Sequence, residues 1–139
     1  MKILIAEDEP LIAKDYKLFL ESRGHKVIIA KDGEECISKF NKIAGVDAST
    51  PAMKYVGYSP VDLVLLDYRM PKKDGLEVAS EILSLFPSQR ILFVTAFGEE
   101  ATQESMRRLD LCIEAIQKPV DLQALAKMIE ESVQEPKQE

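Results

Sequence analysis

Carboxylate side chains follow two of the apolar runs in this chain. The run "KILIA" (Lys2–Ala6) is followed by Glu7 and Asp8, and the run "VDLVLL" (Val61–Leu66) is followed by Asp67. If these three carboxylates meet, each pair repels by about 4 kcal/mol at 4 Å for an effective dielectric constant near 20. Such a site must take up a proton or bind a cation.

A hydroxyl group and an ammonium group follow two further apolar runs. The run "RILFVT" ends at Thr95, and the run "LCIEAIQ" leads into Lys118 and Pro119. Oxygen ligands without histidine or thiolate favour Mg²⁺ or Mn²⁺, and such an ion commonly shares its ligands with a phosphate. Lys118 and Thr95 would then add a positive charge and a hydrogen-bond donor for the same anion. Taken singly, Asp8 could instead cap a helix, and Lys118 could be a solvated surface amine.

The elements that must position these residues alternate along the chain. Short runs rich in branched apolar residues predict strands at residues 2–6, 26–30, 61–66, 90–95 and 111–117. Between them, apolar residues at three- and four-residue spacing predict five amphipathic helices. The residues that carry this spacing are Leu11, Ile12, Phe19 and Leu20; Cys36, Ile37, Phe40 and Ile43; Val78, Ile82, Leu83 and Phe86; Met106 and Leu109; and Leu122, Leu125, Ile129 and Val133.

This alternation predicts an α/β fold, a doubly wound five-stranded parallel sheet with five helices. Ligands bind such sheets outside the carboxyl ends of the strands, where the strand order reverses. Because Glu7, Asp8, Asp67, Thr95 and Lys118 all stand at strand ends, we expect them at one edge of the sheet.

Composition limits the class of protein. With 139 residues, 46% of them hydrophobic, the chain is expected to form one domain over residues 1–134, with an extended loop at about 44–60 and a polar tail at 135–139. A net charge of −6 argues against nucleic acid and anionic membranes as direct partners. The start "MKILIAEDE" turns acidic too early for a secretory signal, so a cytoplasmic location is expected. The widely spaced Cys36 and Cys112 are expected to be buried hydrophobes in a reducing compartment.

Four short motifs, in this order, resemble the receiver domain of two-component response regulators. They are "EDE" (residues 7–9), "LLDYRMPKKDG" (65–75), "VTA" (94–96) and "QKP" (117–119). The resemblance covers the chain from Met1 to about Val133 and implies a flavodoxin-like topology.

The resemblance also implies a role for each site residue. Asp67 would be the phosphoryl acceptor, Asp8 would bind Mg²⁺ directly, and Glu7 would act largely through water. The backbone carbonyl of Arg69 would be a further metal ligand, and Thr95 and Lys118 would contact the phosphoryl oxygens. The peptide bond between Lys118 and Pro119 would be cis.

By the same resemblance, a histidine kinase or a phosphotransfer protein would supply the phosphoryl group, and the chain would catalyse only its own phosphorylation and dephosphorylation. Downstream proteins would read the face formed by the predicted fourth helix, the fifth strand and the fifth helix, including Arg107 and Arg108. No helix-turn-helix follows, so we expect a stand-alone receiver. One departure is Ala115, which stands where the family commonly has an aromatic switch residue.

Three alternatives differ from this interpretation. A metal-dependent phosphohydrolase with an aspartyl nucleophile would, by family resemblance, carry a second aspartate where this chain has Arg69. A flavodoxin-like cofactor binder would need a phosphate-binding loop after the first strand, where this chain has acids. A receiver-like interaction module that works without phosphorylation stays open, although all five site residues are present.

Overall fold

A computed structural model of the chain describes residues 1–46, 58–96 and 114–134. The strands are β1 (Lys2–Ala6), β2 (Lys26–Ala30), β3 (Leu63–Asp67), β4 (Ile91–Thr95) and β5 (Glu114–Gln117). The helices are α1 (Pro10–Ser22), α2 (Gly33–Ala44), α3 (Gly75–Leu85) and α4 (Leu122–Gln134), the last being the predicted fifth helix. The predicted helix near Met106 and Leu109, with Arg107, Arg108 and Cys112, lies outside the described residues, as do the tail and most of the 44–60 loop.

The five described strands form one parallel sheet in the order β2-β1-β3-β4-β5. The predicted doubly wound parallel sheet is therefore confirmed. The chain order reverses between β1 and β3, because β2 lies on one side of β1 and all later strands lie on the other. In open sheets of this kind, the crevice at such a reversal is where ligands bind.

Helices cover both faces of the sheet. On one face, α2 and α3 contribute Phe40 and Ile82 to a core with Leu66 and Phe93; on the other, α1 and α4 contribute Leu20 and Ile129. Because both faces are covered, β1, β3 and β4 are apolar at successive positions rather than at alternate ones. Because these strands are buried on both faces, their positions are fixed, and so are the polar residues at their carboxyl ends.

The prediction for the buried face of the first helix is wrong in part. Leu20 is buried as expected, but Leu11 is 77% exposed, and the other buried positions of α1 are Ala13 and Tyr16. At 100° per residue, Ala13, Tyr16 and Leu20 lie on one side of the helix, and Leu11 lies opposite them. Apolar spacing alone therefore identified the helix but not which side faces the sheet.

The starts of α2 and α3 share one pattern, an aspartate cap followed by glycine. Asp32 accepts a hydrogen bond from the Glu35 backbone N–H at 2.8 Å, and Asp74 accepts one from Glu77 at 2.9 Å. The α1 helix begins differently, because Glu9 is its N-cap residue and makes no side-chain cap. The carboxylate of Asp8 is thus not used as the helix cap and remains available to the site.

Two further sequence expectations concern single features. Cys36 is a buried free thiol, and burial raises its pKa to about 12, consistent with a structural role. Among the described residues, no helix is both long and apolar enough to span a membrane.

Candidate functional site

The carboxyl ends of β1 and β3 bring three acidic side chains together at the point where the strand order reverses. Ala6 and Leu66 are partners in the parallel ladder, so the residues that follow them, Glu7 and Asp67, lie side by side. One carboxylate oxygen from each of Glu7, Asp8 and Asp67 lies within 4.8 Å of the other two. Glu7 and Asp67 are buried, at 2% and 6% exposure, whereas Asp8 is exposed. The cluster therefore has a buried floor and an open side.

Lys118 reaches this cluster from the end of β5. Its Nζ lies 3.1 Å from Asp67 Oδ2, and its backbone N–H donates a hydrogen bond to the Thr95 carbonyl at 2.7 Å. Thr95 is the last residue of β4, one position beyond Val94, the ladder partner of Asp67. The expected cis bond between Lys118 and Pro119 is present. The structure therefore places the acidic cluster, Lys118 and the end of β4 at one edge of the sheet.

The loop after β3 contacts the Asp67 carboxylate through a backbone N–H group. The Arg69 backbone N–H donates a hydrogen bond to Asp67. The central carbon of the Arg69 guanidinium lies 6.0 Å from the centre of the Tyr68 ring. Asp67 is therefore contacted by an ammonium group on one side and by a main-chain N–H on another.

Burial dominates the electrostatics of the acidic pair. Burial raises the pKa of Glu7 to about 7, and the negative charge of Asp67 adds to that shift. Burial also raises the pKa of Asp67, while the hydrogen bond and charge of Lys118 partly offset the shift. Burial lowers the pKa of Lys118, but its contact with Asp67 outweighs this and the net pKa is raised. Lys118 therefore keeps its positive charge beside the acids.

The donor set fits a hard divalent cation. Glu7 Oε2 accepts a hydrogen bond from the Glu9 backbone at 3.0 Å, but Glu7 Oε1 is buried and has no hydrogen-bond partner among the residues described. A buried acceptor without a partner is costly unless a proton or a cation satisfies it. Three carboxylate oxygens without sulfur or imidazole match the preferences of Mg²⁺ and Mn²⁺.

One residue near the site was not singled out from the sequence. Tyr16 of α1 is buried, and its pKa is raised by burial and by the charges of Glu7 and Asp67. It lines an open groove of about 490 Å³ next to Lys118, together with Ile12, Val120 and Leu122. The sequence offered only its position on an amphipathic helix, which is not a signal for a site.

The raised pKa of Glu7 leads to a testable effect on stability. In the metal-free protein Glu7 binds its proton more tightly when folded, so this residue favours folding below pH 4.5, and the benefit is lost as the pH rises to about 7. Glu7→Gln removes the charge, while its amide can still accept from Glu9 and donate to Asp67. We expect the variant to be more stable than the wild type by about 1–3 kcal/mol at pH 8 in EDTA.

Urea unfolding at pH 5 and pH 8 measures this difference. The advantage of Glu7→Gln should be smaller at pH 5, where more wild-type Glu7 is protonated, and millimolar Mg²⁺ at pH 8 should stabilise the wild type more than the variant. Equal stability of the two proteins at pH 8 in EDTA would contradict the assignment of a buried, raised-pKa carboxyl.

Comparison with known proteins gives a consistent result. The family model for the response regulator receiver domain matches residues 3–130. The chain is 33% identical over 129 residues to response regulator RR06 of Streptococcus pneumoniae serotype 2, covering 93% of this chain and 51% of RR06. It is 33% identical over 102 residues to the transcriptional regulatory protein ResD of Bacillus subtilis, covering 73% of this chain and 35% of ResD.

A solved structure agrees with these sequence relatives. The response regulator receiver domain protein from Clostridium thermocellum superposes with a TM-score of 0.76 at 25% identity, over 96% of this chain and 94% of that one. The chain spans about half or less of the two curated relatives described above. Since the family model matches nearly the whole chain, this protein belongs to the response regulator receiver domain family.

Proposed function

We propose that Asp67 accepts a phosphoryl group in a reaction that depends on a divalent cation. The observation that carries this proposal is the placement of Asp67. Its carboxylate is buried at the strand-order reversal, 3.1 Å from the Lys118 ammonium and beside the carboxylates of Glu7 and Asp8. A nucleophilic carboxylate needs this setting, because the incoming phosphate is itself an anion.

The reaction joins an Asp67 carboxylate oxygen to phosphorus and breaks the bond between phosphorus and the donor. For a phosphohistidine donor, the ring nitrogen leaves with the electron pair of the broken bond. That nitrogen can then be protonated. Charge develops on the equatorial phosphoryl oxygens in a loose transition state, so positioning and electrostatic stabilisation carry the catalysis. The product is a mixed anhydride on Asp67, and the chain modifies only itself.

The residues around Asp67 then have distinct roles. Glu7, Asp8, Asp67 and the Arg69 carbonyl would hold Mg²⁺ or Mn²⁺, with Glu7 acting largely through water. A bound ion supplies positive charge against the repulsion between carboxylate and phosphate. Lys118, already charged and paired with Asp67, can transfer its contact to a phosphoryl oxygen. The Thr95 carbonyl accepts a hydrogen bond from the Lys118 backbone, and the Thr95 hydroxyl would donate to a second phosphoryl oxygen.

A histidine kinase or a phosphotransfer protein is the proposed donor. The α1 helix begins two residues after Asp8, and its Leu11 and Leu18 are 77% and 57% exposed. A groove that Lys118 helps to line also contains apolar residues of α1 and α4. Leu11 and Leu18 are seven residues apart and so share one face of α1, and exposed apolar patches of this kind are typical of protein interaction sites. The α1 surface is thus suited to a donor that must reach Asp67.

Transmission to a downstream protein is proposed for the face that includes β5 and α4. Ala115 of β5 is exposed and lies opposite Phe93 in the ladder, so no aromatic side chain at this position can follow a movement of Thr95. The stand-alone state, the domain limit at residue 134 and the cytoplasmic location stay predictions from the sequence.

Incubation with phosphoramidate and Mg²⁺, followed by intact-protein mass spectrometry, tests the proposal. We expect each chain to gain one phosphoryl group. The alternative function, a receiver-like interaction module that works without phosphorylation, predicts no mass gain under the same conditions. That result, obtained with protein shown to be folded, would overturn the proposal.

A further inference from the structure

The loop between β3 and α3 (residues 68–74, the β3–α3 loop) is closed at its far end by Gly75. The Gly75 backbone N–H donates to the Tyr68 carbonyl at 2.7 Å, which joins the two ends of the loop. A side chain at residue 75 would place its Cβ 2.7 Å from the Asp67 carbonyl oxygen, closer than real Cβ atoms approach. The loop therefore lies directly against the end of the strand that carries Asp67.

The start of α2 packs against the second half of the same loop. Gly33 is buried, and a Cβ at this position would lie 2.7 Å from Lys73 Cβ and 2.8 Å from its carbonyl carbon, and closer still to its carbonyl oxygen. Substitution of Gly33 must therefore displace the loop or the helix. No role in the site described above requires this contact.

Charged side chains join the same two elements. Lys72 has a φ of 70°, in the left-handed region that residues other than glycine seldom adopt. Its Nζ lies 3.7 Å from Asp32 Oδ2 and 3.8 Å from Glu34 Oε1. Asp32 is buried and uses its other oxygen to cap α2. The unfavourable backbone at Lys72 is thus accompanied by attraction from two acids at the α2 start.

We propose that the start of α2 positions the β3–α3 loop for phosphoryl transfer. Gly33 and Asp32 hold Lys73 and Lys72, and the loop in turn holds the Arg69 backbone against Asp67. Gly33 and Asp32 are positioning residues, because neither touches the acidic cluster. The catalytic part of this inference rests on the proposed function, whereas the positioning part does not.

Gly33→Ala tests the inference, with Gly45→Ala as its matched control. Gly45 ends the same helix with a φ of 76° and has no atom within 4 Å of an added Cβ. Alanine is unfavourable at both ends of α2, at residue 33 because of the contact with Lys73 and at residue 45 because of its positive φ. Only the alanine at residue 33 contacts the β3–α3 loop. Asp32→Asn is the second variant, because asparagine retains the helix cap and removes the charge that faces Lys72.

Two measurements are made at a temperature where all variants are folded. Amide hydrogen exchange of the peptide spanning residues 68–75 is followed in metal-free protein, and phosphorylation by phosphoramidate is followed in saturating Mg²⁺. We expect Gly33→Ala to exchange faster in this peptide and to be phosphorylated roughly 10-fold to 10²-fold more slowly than Gly45→Ala. Asp32→Asn should also speed exchange in this peptide and slow phosphorylation, but both effects should be smaller.

The outcomes separate this inference from the proposed function. The positioning role would be overturned if Gly33→Ala exchanges and is phosphorylated at the rates of Gly45→Ala, and if Asp32→Asn does so at the wild-type rates. If Gly33→Ala does not fold, Asp32→Asn alone decides between the two results. A wild type that takes up no phosphoryl group would overturn the proposed function, while the exchange measurement would still test the positioning.

Discussion

Asp67→Asn is expected to abolish phosphorylation of the protein by a small phosphodonor. Asparagine matches aspartate in size and can still accept hydrogen bonds, but its neutral amide oxygen is a far weaker nucleophile than a carboxylate. It also lacks the charge that attracts Lys118, whose Nζ lies 3.1 Å from Asp67. We expect the rate of phosphoryl uptake to fall by at least about 10²-fold, measured by intact mass over time.

Asp62→Asn provides the matched control for this substitution. Asp62 lies just before the opposite end of β3, is exposed, and accepts a hydrogen bond from the Lys2 backbone that an asparagine oxygen can also accept. The control should be phosphorylated at the wild-type rate. If Asp67→Asn gains the phosphoryl group as fast as Asp62→Asn, the acceptor is another residue.

Removal of divalent cations is expected to have the second large effect. Without a cation, the incoming phosphate meets the carboxylates of Glu7, Asp8 and Asp67, which lie within 4.8 Å of one another, with Lys118 as the neighbouring positive charge. A metal ion that neutralises such repulsion contributes several kcal/mol to the transition state, which corresponds to about 10²-fold to 10³-fold or more in rate. Phosphorylation in excess EDTA should therefore fall by at least that factor.

Restoration by added metal is the control for the chelation experiment. Mg²⁺ or Mn²⁺ in excess over EDTA should restore the rate, whereas Ca²⁺ should do so less well, because its larger size and higher coordination number suit a different set of ligands. Asp8→Asn should shift the Mg²⁺ dependence to higher concentration. Undiminished phosphorylation in EDTA would remove the metal from the proposed mechanism.

The fold was predictable because its signals are local and redundant. The runs that became β1, β3 and β4 are apolar at successive positions, which is typical of strands covered on both faces. Once parallel strands alternate with helices, their carboxyl ends must share one edge. The positions of Glu7, Asp67 and Lys118 at strand ends therefore predicted a common site from the sequence alone.

The parts that were missed depend on three-dimensional packing. The exposed side of α1 carries Leu11 and Leu18, so apolar residues on both sides of the helix hid its buried face. The contact between Gly33 and Lys73 joins residues 40 positions apart, and only the docking of α2 against the β3–α3 loop creates it. The pKa of Glu7 is raised chiefly by the depth of its burial, which residue type and spacing do not give.

Localisation of the phosphoryl group tests the central claim most directly. An acyl phosphate reacts with borohydride to give an alcohol, so a phosphorylated aspartate is read as homoserine by tandem mass spectrometry of the digested protein. After treatment with phosphoramidate and Mg²⁺, we predict homoserine at residue 67 and unmodified carboxylates at Glu7, Asp8 and Asp62. Homoserine at another aspartate, or phosphate on a histidine or a hydroxyl side chain with residue 67 unmodified, would contradict the account.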